Sequence, residues 1–226
     1  MKKNRPQHGL LVTGTNTNVG KTYITALIAQ QLIAQKIRTG IYKPVCTGAE
    51  IDQTGTPRWN DIQQLAKAMG QENDLILQKK ICPQHFLQAA APPVAAHSEK
   101  KKVDNKLLTD GLALWGNDIE IMLVEGVGGL LCPLTETTTI ADFAKEIDYP
   151  LLIVAAVELG MMNHTLLTVE VAQKRQLAVA GIIFNVISSD VTDEMIETNR
   201  HEIALRTKVP ILSIVQQNQS VQQNQS

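Results

Sequence analysis

Short runs of aliphatic and β-branched residues alternate along the chain with longer segments of helical period. That is the pattern of βαβ units and a largely parallel sheet. Strands are predicted at 10–13, 39–43, 120–124, 151–157 and 179–185, with a last one near 211–215. Between the first two, Ile24, Leu27, Ile28 and Leu32 give one apolar stripe to a helix beginning near Lys21. Further helices are expected at 61–69, closed by Gly70, and near 105–115, 140–147, 163–176 and 193–206. The stretch 81–97 reads as irregular, because Pro83, Pro92 and Pro93 interrupt any long element. No linker long enough to divide the chain is visible, so residues 1–214 read as a single domain. Residues 215–226 spell VQQNQS twice. This polar tail has no core to join and carries no catalytic side chain, although Gln/Asn tracts can pair as edge strands.

The chain of 226 residues is long enough to bury a core without metal or disulfide support. Lys plus Arg is 21 and Asp plus Glu is 22, a formal net charge of −1, which argues against a bulk electrostatic nucleic-acid binder. Cys46, Cys82 and Cys132 lie far apart with no CxxC pair, so neither a disulfide framework nor a zinc site is indicated. After the basic start, only Leu10, Leu11 and Val12 precede Thr13-Gly14, too short for a signal-peptide core. The most apolar run, 151–157, is strand-sized and far from a membrane span. A reduced, cytoplasmic protein without membrane attachment is expected.

The chemistry clusters at predicted strand ends. Gly14-Thr-Asn-Thr17-Asn18-Val19-Gly20-Lys21-Thr22 follows a strand and opens a helix, the setting in which backbone N–H groups cradle phosphates. Gly20 lets the backbone approach, Lys21 reaches the outer phosphates, and the Thr22 hydroxyl is placed for Mg²⁺. Five residues separate the two glycines, one more than the common pattern. The expected fold is therefore α/β of the P-loop NTPase type, a mostly parallel central sheet with helices on both faces. In Val124-Glu125-Gly126-Val127-Gly128-Gly129 an apolar strand ends in a carboxylate and then a glycine-rich turn, where an acid would join a Mg²⁺ shell. Lys43-Pro44 stops the second strand and aims another cation at the same crevice, although a solvated strand-end lysine would read alike. Asp61 sits near a helix start, where an N-cap or first-turn role is locally sufficient. Glu158-Leu159-Gly160 leads into another helix, and Asn185 ends the next strand. Open α/β sheets bind ligands at that end. No HExxH, GxSxG or Rossmann GxGxxG occurs, and Cys46 and Cys132 read as small apolar packing.

Taken in order, the phosphate loop, Tyr42-Lys43-Pro44-Val45, Glu125-Gly126-x-Gly128-Gly129 and Leu159-Gly160 with Asn163-His164 resemble dethiobiotin synthetases. The resemblance runs from about Leu10 to Pro210. It implies an ATP- and Mg²⁺-dependent ring closure in biotin synthesis, with 7,8-diaminononanoate and CO2 as partners in the reaction. It further implies Lys43 and Lys21 as catalytic lysines and Thr22, Asp61 and Glu125 as Mg²⁺ ligands. The nucleotide would meet residues 17–22 with Asp61, Glu125, Gly126, Val127, Gly128, Asn185 and Val186, Asn185 reading adenine. The substrate would meet Thr47 and Gly128, with its carboxylate capped by Gly160, Met161, Met162 and Asn163 of the partner in a homodimer. Asn16 and Asn18 replace acids common in such loops, and Glu158 stands where a base is common. After Pro210 the usual Gly-x-x-Pro segment gives way to the VQQNQS repeat, so a looser grip on the base is expected. The competing reading is a regulatory P-loop ATPase of the chromosome-partitioning or septum-placement type. Those typically carry an early loop lysine where Asn16 stands.

Overall fold

The structure, a computed structural model, describes residues 5–216. In chain order the elements are β1 (Gly9–Gly14), α1 (Lys21–Ala34), β2 (Thr39–Tyr42), β3 (Cys46–Thr47), β4 (Glu50–Ile51), β5 (Pro57–Arg58), α2 (Asn60–Ala68), α3 (Leu75–Ile81), β6 (His85–Phe86), α4 (Pro92–Ser98), α5 (Asn105–Ala113), β7 (Ile121–Gly129), α6 (Ile140–Ile147), β8 (Leu151–Ala156), α7 (Met161–Lys174), β9 (Val179–Val186), α8 (Asp193–Arg206) and β10 (Ile211–Gln216).

Six strands form one sheet in the order β10-β9-β8-β1-β7-β2, and each neighbouring pair is parallel. Parallel strands joined by helices are covered on both faces, which is why β8, LLIVAA, is buried at every position. On one face Val12, Leu152, Val154 and Ile183 pack with Val19 and Ile24, the latter from α1. On the other, Ile153, Ala155, Ile182 and Phe184 pack with Met161 and Val169 of α7 and Ile196 and Ile203 of α8. The phosphate-loop segment leaves the carboxyl end of β1 in mid-sheet, with its Thr15 N–H donating to the Val154 carbonyl at 3.0 Å.

Three features depart from the sequence expectation. The glycine-rich segment after Glu125 is strand rather than turn: β7 continues to Gly129, which pairs with Gly14 across an irregularity in register. Residues 81–97 are more ordered than expected. Pro92 opens α4, where a missing N–H costs nothing, and Pro93 follows it within the first turn. β6 meanwhile pairs with β3 in a separate two-stranded sheet. A short helix, α3, was not anticipated. The Asp74 carboxylate caps it, accepting from the Ile76 and Leu77 N–H groups. At the far end, β10 takes in Val215 and Gln216 of the polar repeat, while 217–226 lie outside the described residues, as do 1–4.

Candidate active site

Gly14 and Gly20 set the shape of the phosphate loop. A Cβ on Gly14 would fall 2.7 Å from both the Asn16 carbonyl and a Val19 methyl, so only glycine lets the loop fold back here. Gly20 adopts φ 86 as the residue preceding α1, which carries neither a side-chain cap nor an acid in its first turn. The first N–H groups of α1 are therefore left for an anion. Asn18, at φ 60, is one of the few non-glycine types at ease in that left-handed region.

Around the loop mouth the chain gathers four charges from four elements. The Lys43 Nζ, from the end of β2, lies 2.5 Å from Glu125 Oε1 on β7 and 2.9 Å from Asp61 Oδ2 on α2. Thr22, in the first turn of α1, donates its hydroxyl to the same Glu125 Oε1 at 2.8 Å. Burial alone would lower the Lys43 ammonium, but Glu125 and Asp61 outweigh it and hold the group charged. Burial likewise pushes the Asp61 carboxyl up, and the Lys43 ammonium more than reverses this, keeping it anionic. Lys21 differs. Its Nζ donates only to the Asn16 carbonyl, at 3.0 Å. Burial, with Lys43 adding repulsion, brings its pKa down to about 8. The site thus holds one cation between two carboxylates, beside a second, less well-compensated cation facing the loop.

Among the described residues no three His, Cys, Asp or Glu side chains gather as a metal cage. Two carboxylates and a hydroxyl suit a hard cation that completes its shell with phosphate and water oxygens, as Mg²⁺ does. Glu125 Oε2 is buried without a hydrogen-bond partner, an acceptor that a cation would satisfy. The donor set fits.

The remaining expected residues divide. Thr17 and Asn18 are exposed on the loop and Val19 is buried beneath it. Gly128, at φ 60, comes against Cys132: a Cβ there would lie 2.9 Å from its Sγ and 3.7 Å from Thr17 Oγ1. Gly126 instead faces Ile140 of α6, so any contribution to a nucleotide would have to come from its backbone. Val127 is half-buried, and Thr47 is half-buried in β3. Thr47 follows Cys46, whose thiol burial pushes up to about 12, in keeping with a packing role. Asn185 is buried and donates Nδ2–H to the Val19 carbonyl at 2.8 Å, while its Oδ1 has no partner. Val186 points to the opposite face and packs with the α7–α8 core, so its side chain is withdrawn from the nucleotide side. Gly160, at φ 90, precedes α7 as Gly20 precedes α1. Met162 and Asn163 are exposed there, whereas the Met161 side chain lies in the core. Sequence reasoning missed that the Asn16 side chain accepts the Thr17 N–H at 2.7 Å. An Asn beside a glycine turn is the only local signal for it.

The profile of a family described as an AAA domain matches residues 8–225. The ATP-dependent dethiobiotin synthetase of Rhodopirellula baltica is 35% identical over 216 residues, covering 91% of this chain and 83% of that protein. The ATP-dependent dethiobiotin synthetase of Bacillus subtilis is 36% identical over 209 residues, covering 91% and 86%. The chain belongs to the dethiobiotin synthetase family. Among solved structures it is similar to the MinD cell-division ATPase of Pyrococcus furiosus, with a TM-score of 0.51 at 16% identity, covering 93% of this chain and 84% of that one. It is also similar to a chain of the Aquifex aeolicus MinC:MinD complex, with a TM-score of 0.55 at 16% identity, covering 94% and 82%. At that identity the likeness shows the fold alone.

Proposed function

We propose that the protein closes 7,8-diaminononanoate (7,8-diaminopelargonate) with CO2 to dethiobiotin, converting ATP to ADP and phosphate, as an enzyme forming carbon–nitrogen bonds. The observation that carries this reading is the charged cluster of Lys43, Asp61 and Glu125 set against the phosphate loop. One amine of the substrate adds CO2 to give a carbamate. A carbamate oxygen then attacks the γ-phosphorus, and ADP departs. The second amine attacks the carbonyl carbon of the mixed anhydride, and phosphate leaves as the cyclic urea forms. Bringing a carbamate to a triphosphate sets two anions together, so fixed positive charge is the main requirement. Lys21 supplies it at the loop and Lys43 at the strand end, both held in place before any ligand arrives. Thr22, Asp61 and Glu125 would hold Mg²⁺, which when bound neutralises phosphate charge.

Thr47 and Gly128 are assigned to the diamine and residues 17–22 to the triphosphate. The buried, unpartnered Oδ1 of Asn185 would suit an exocyclic amine of the base. The N-terminus of α7, with Gly160, Met162 and Asn163, would take the substrate carboxylate. We assign this contact to a second copy in a homodimer, because Leu159 beside it is fully exposed and Leu167 is half-exposed on the same helix. No helix among the described residues is long and apolar enough to cross a membrane. Cytoplasmic residence fits the two buried free thiols, Cys46 and Cys82.

The test is incorporation of labelled bicarbonate into an acid-stable product with the diamine, Mg²⁺ and ATP present. Label that requires both diamine and ATP is expected, and Lys43→Ala should abolish it while leaving the protein folded. ATP hydrolysis indifferent to the diamine, with no stable label, would replace this reading by a regulatory ATPase.

A further inference from the structure

We infer that Asn185 is a positioning residue of the phosphate loop: its amide holds the Val19–Gly20 peptide so that the Gly20 N–H faces the crevice. This rests on the nucleotide reading above. Asn185 lies in β9, separated from β1 by β8, and is fully buried. Its Nδ2–H reaches across 166 positions of sequence to the Val19 carbonyl at 2.8 Å. A trans peptide unit is planar, so its C=O and N–H point in opposite directions. With the Val19 oxygen drawn toward β9, the N–H of Gly20 is turned away from it, toward the side on which a phosphate would lie. Gly20 at φ 86 then hands the chain to α1, and its own carbonyl accepts the Ile24 N–H at 3.0 Å.

The loop is tied down at three points of different kinds. Thr15 N–H is bonded to Val154 of β8, the Asn16 carbonyl receives Lys21 Nζ, and the last peptide before α1 is held by Asn185. Of these only the last fixes the peptide whose N–H belongs to Gly20. A cradle of this sort works by preorganisation, since donors already aimed need no reordering when the anion arrives.

The experiment measures Mg²⁺-dependent binding of ATP and of inorganic tripolyphosphate, which has no base, by calorimetry. Asn185→Ala removes the amide, and Asn185→Leu removes it while keeping the branched shape and filling the space, so that the inference is testable if the smaller variant does not fold. Ile183→Ala is the control: a buried neighbour on the same strand and face with a side chain that makes no hydrogen bond. In both Asn185 variants the affinities for ATP and tripolyphosphate should fall together by about five- to tenfold, since a loop peptide released from a bond of about 1 kcal/mol must be reordered when the anion binds. Ile183→Ala should lower the melting temperature and leave tripolyphosphate affinity unchanged. Tripolyphosphate binding at wild-type strength with ATP alone weakened would make Asn185 only a base reader and overturn the inference. An equal loss in Ile183→Ala would reduce it to packing. If the wild-type protein binds neither ligand, the nucleotide reading itself fails and takes this one with it.

Discussion

Helices α1 and α7 open differently from their capped neighbours. Both follow a parallel strand, both are preceded by a left-handed glycine, and neither has a side-chain cap or an acid in its first turn. By contrast, Asp74 caps α3, Asp104 caps α5, Thr192 caps α8, and Thr139 with Asp142 forms a reciprocal capping box on α6. A side-chain cap contributes about 1 kcal/mol, which α1 and α7 forgo. What they keep are first-turn N–H groups without a side-chain partner, Met161 N–H turning back to the Glu158 carbonyl at 3.1 Å, at the end of the sheet where open α/β folds bind ligands. The two differ from each other as well. The start of α1 is lined by Lys21, with Lys43 near it, inside the chain. The start of α7 carries the exposed Glu158 and Leu159 and a Met162 that is 39% exposed. One is a socket lined by buried charge, proposed for a polyanion. The other is an open surface, where the proposed attraction for a carboxylate comes from the helix end alone.

That contrast is easiest to break at Lys21. Lys21→Met should lower kcat/KM for ATP by at least about a hundredfold, since a preorganised cation at developing phosphate charge is lost. The melting temperature should hold or rise, because an ammonium with poor compensation leaves the interior. Retained activity would mean that the α1 terminus binds phosphate without the cation. At α7 the corresponding change is Met162→Glu, an acid placed in an uncapped first turn. It should stabilise the fold by about 0.3–1 kcal/mol through the helix dipole. The same charge should raise KM for the diamine by roughly fivefold, about 1 kcal/mol of repulsion. A KM that did not move would remove the substrate carboxylate from α7.

Local chemistry accounts for what is legible in the sequence. Helices α6 and α8 begin where expected because Thr139 and Thr192 are cap residues directly ahead of their first turns. The loop was legible because its glycines, lysine and threonine are consecutive. The pairing of Lys43 with Glu125, 82 positions apart, was not legible as a contact. It depends on β7 entering the sheet between β1 and β2, and strand order has no local signature. The same holds for Asn185 reaching Val19. The two prolines of α4 misled for a different reason: a proline disrupts a helix interior but suits a helix start, and composition does not say which applies. That Gly126 faces Ile140 and that the side chains of Met161 and Val186 lie in the α7–α8 core follows from alternation along a strand or the inward face of a helix, which the motif around each residue does not show.

Protons offer a finer test of the start of α1. Lys21 titrates near 8 in the folded chain and at about 10.5 when unfolded. Between those values the folded state binds fewer protons, so stability should rise with pH across that window, the burial cost being felt in full below it. A triphosphate beside Lys21 restores its proton. Binding of tripolyphosphate at pH 8.5 should therefore take up a fraction of a proton, seen as a binding enthalpy that depends on the buffer's ionisation heat. The same titration with Lys21→Met should show no such uptake, since the group that regains the proton is gone. Equal buffer dependence in that variant would remove Lys21 from the phosphate site.

The smallest effect belongs to a capped helix. Thr139→Ala removes one half of the α6 capping box and should cost about 1 kcal/mol. In a chain of this size that lowers the melting temperature by roughly 2–4 °C. Turnover and KM should not change, since the N–H groups that Thr139 satisfies are turned inward to its own chain and none is offered to a ligand. Ile140, the next residue, does press against Gly126 on β7, one position from Glu125. A loss of activity in Thr139→Ala would therefore mean that the start of α6 sets the position of the Glu125 carboxylate. Capped helices would then have a part in the chemistry that their closed termini do not suggest.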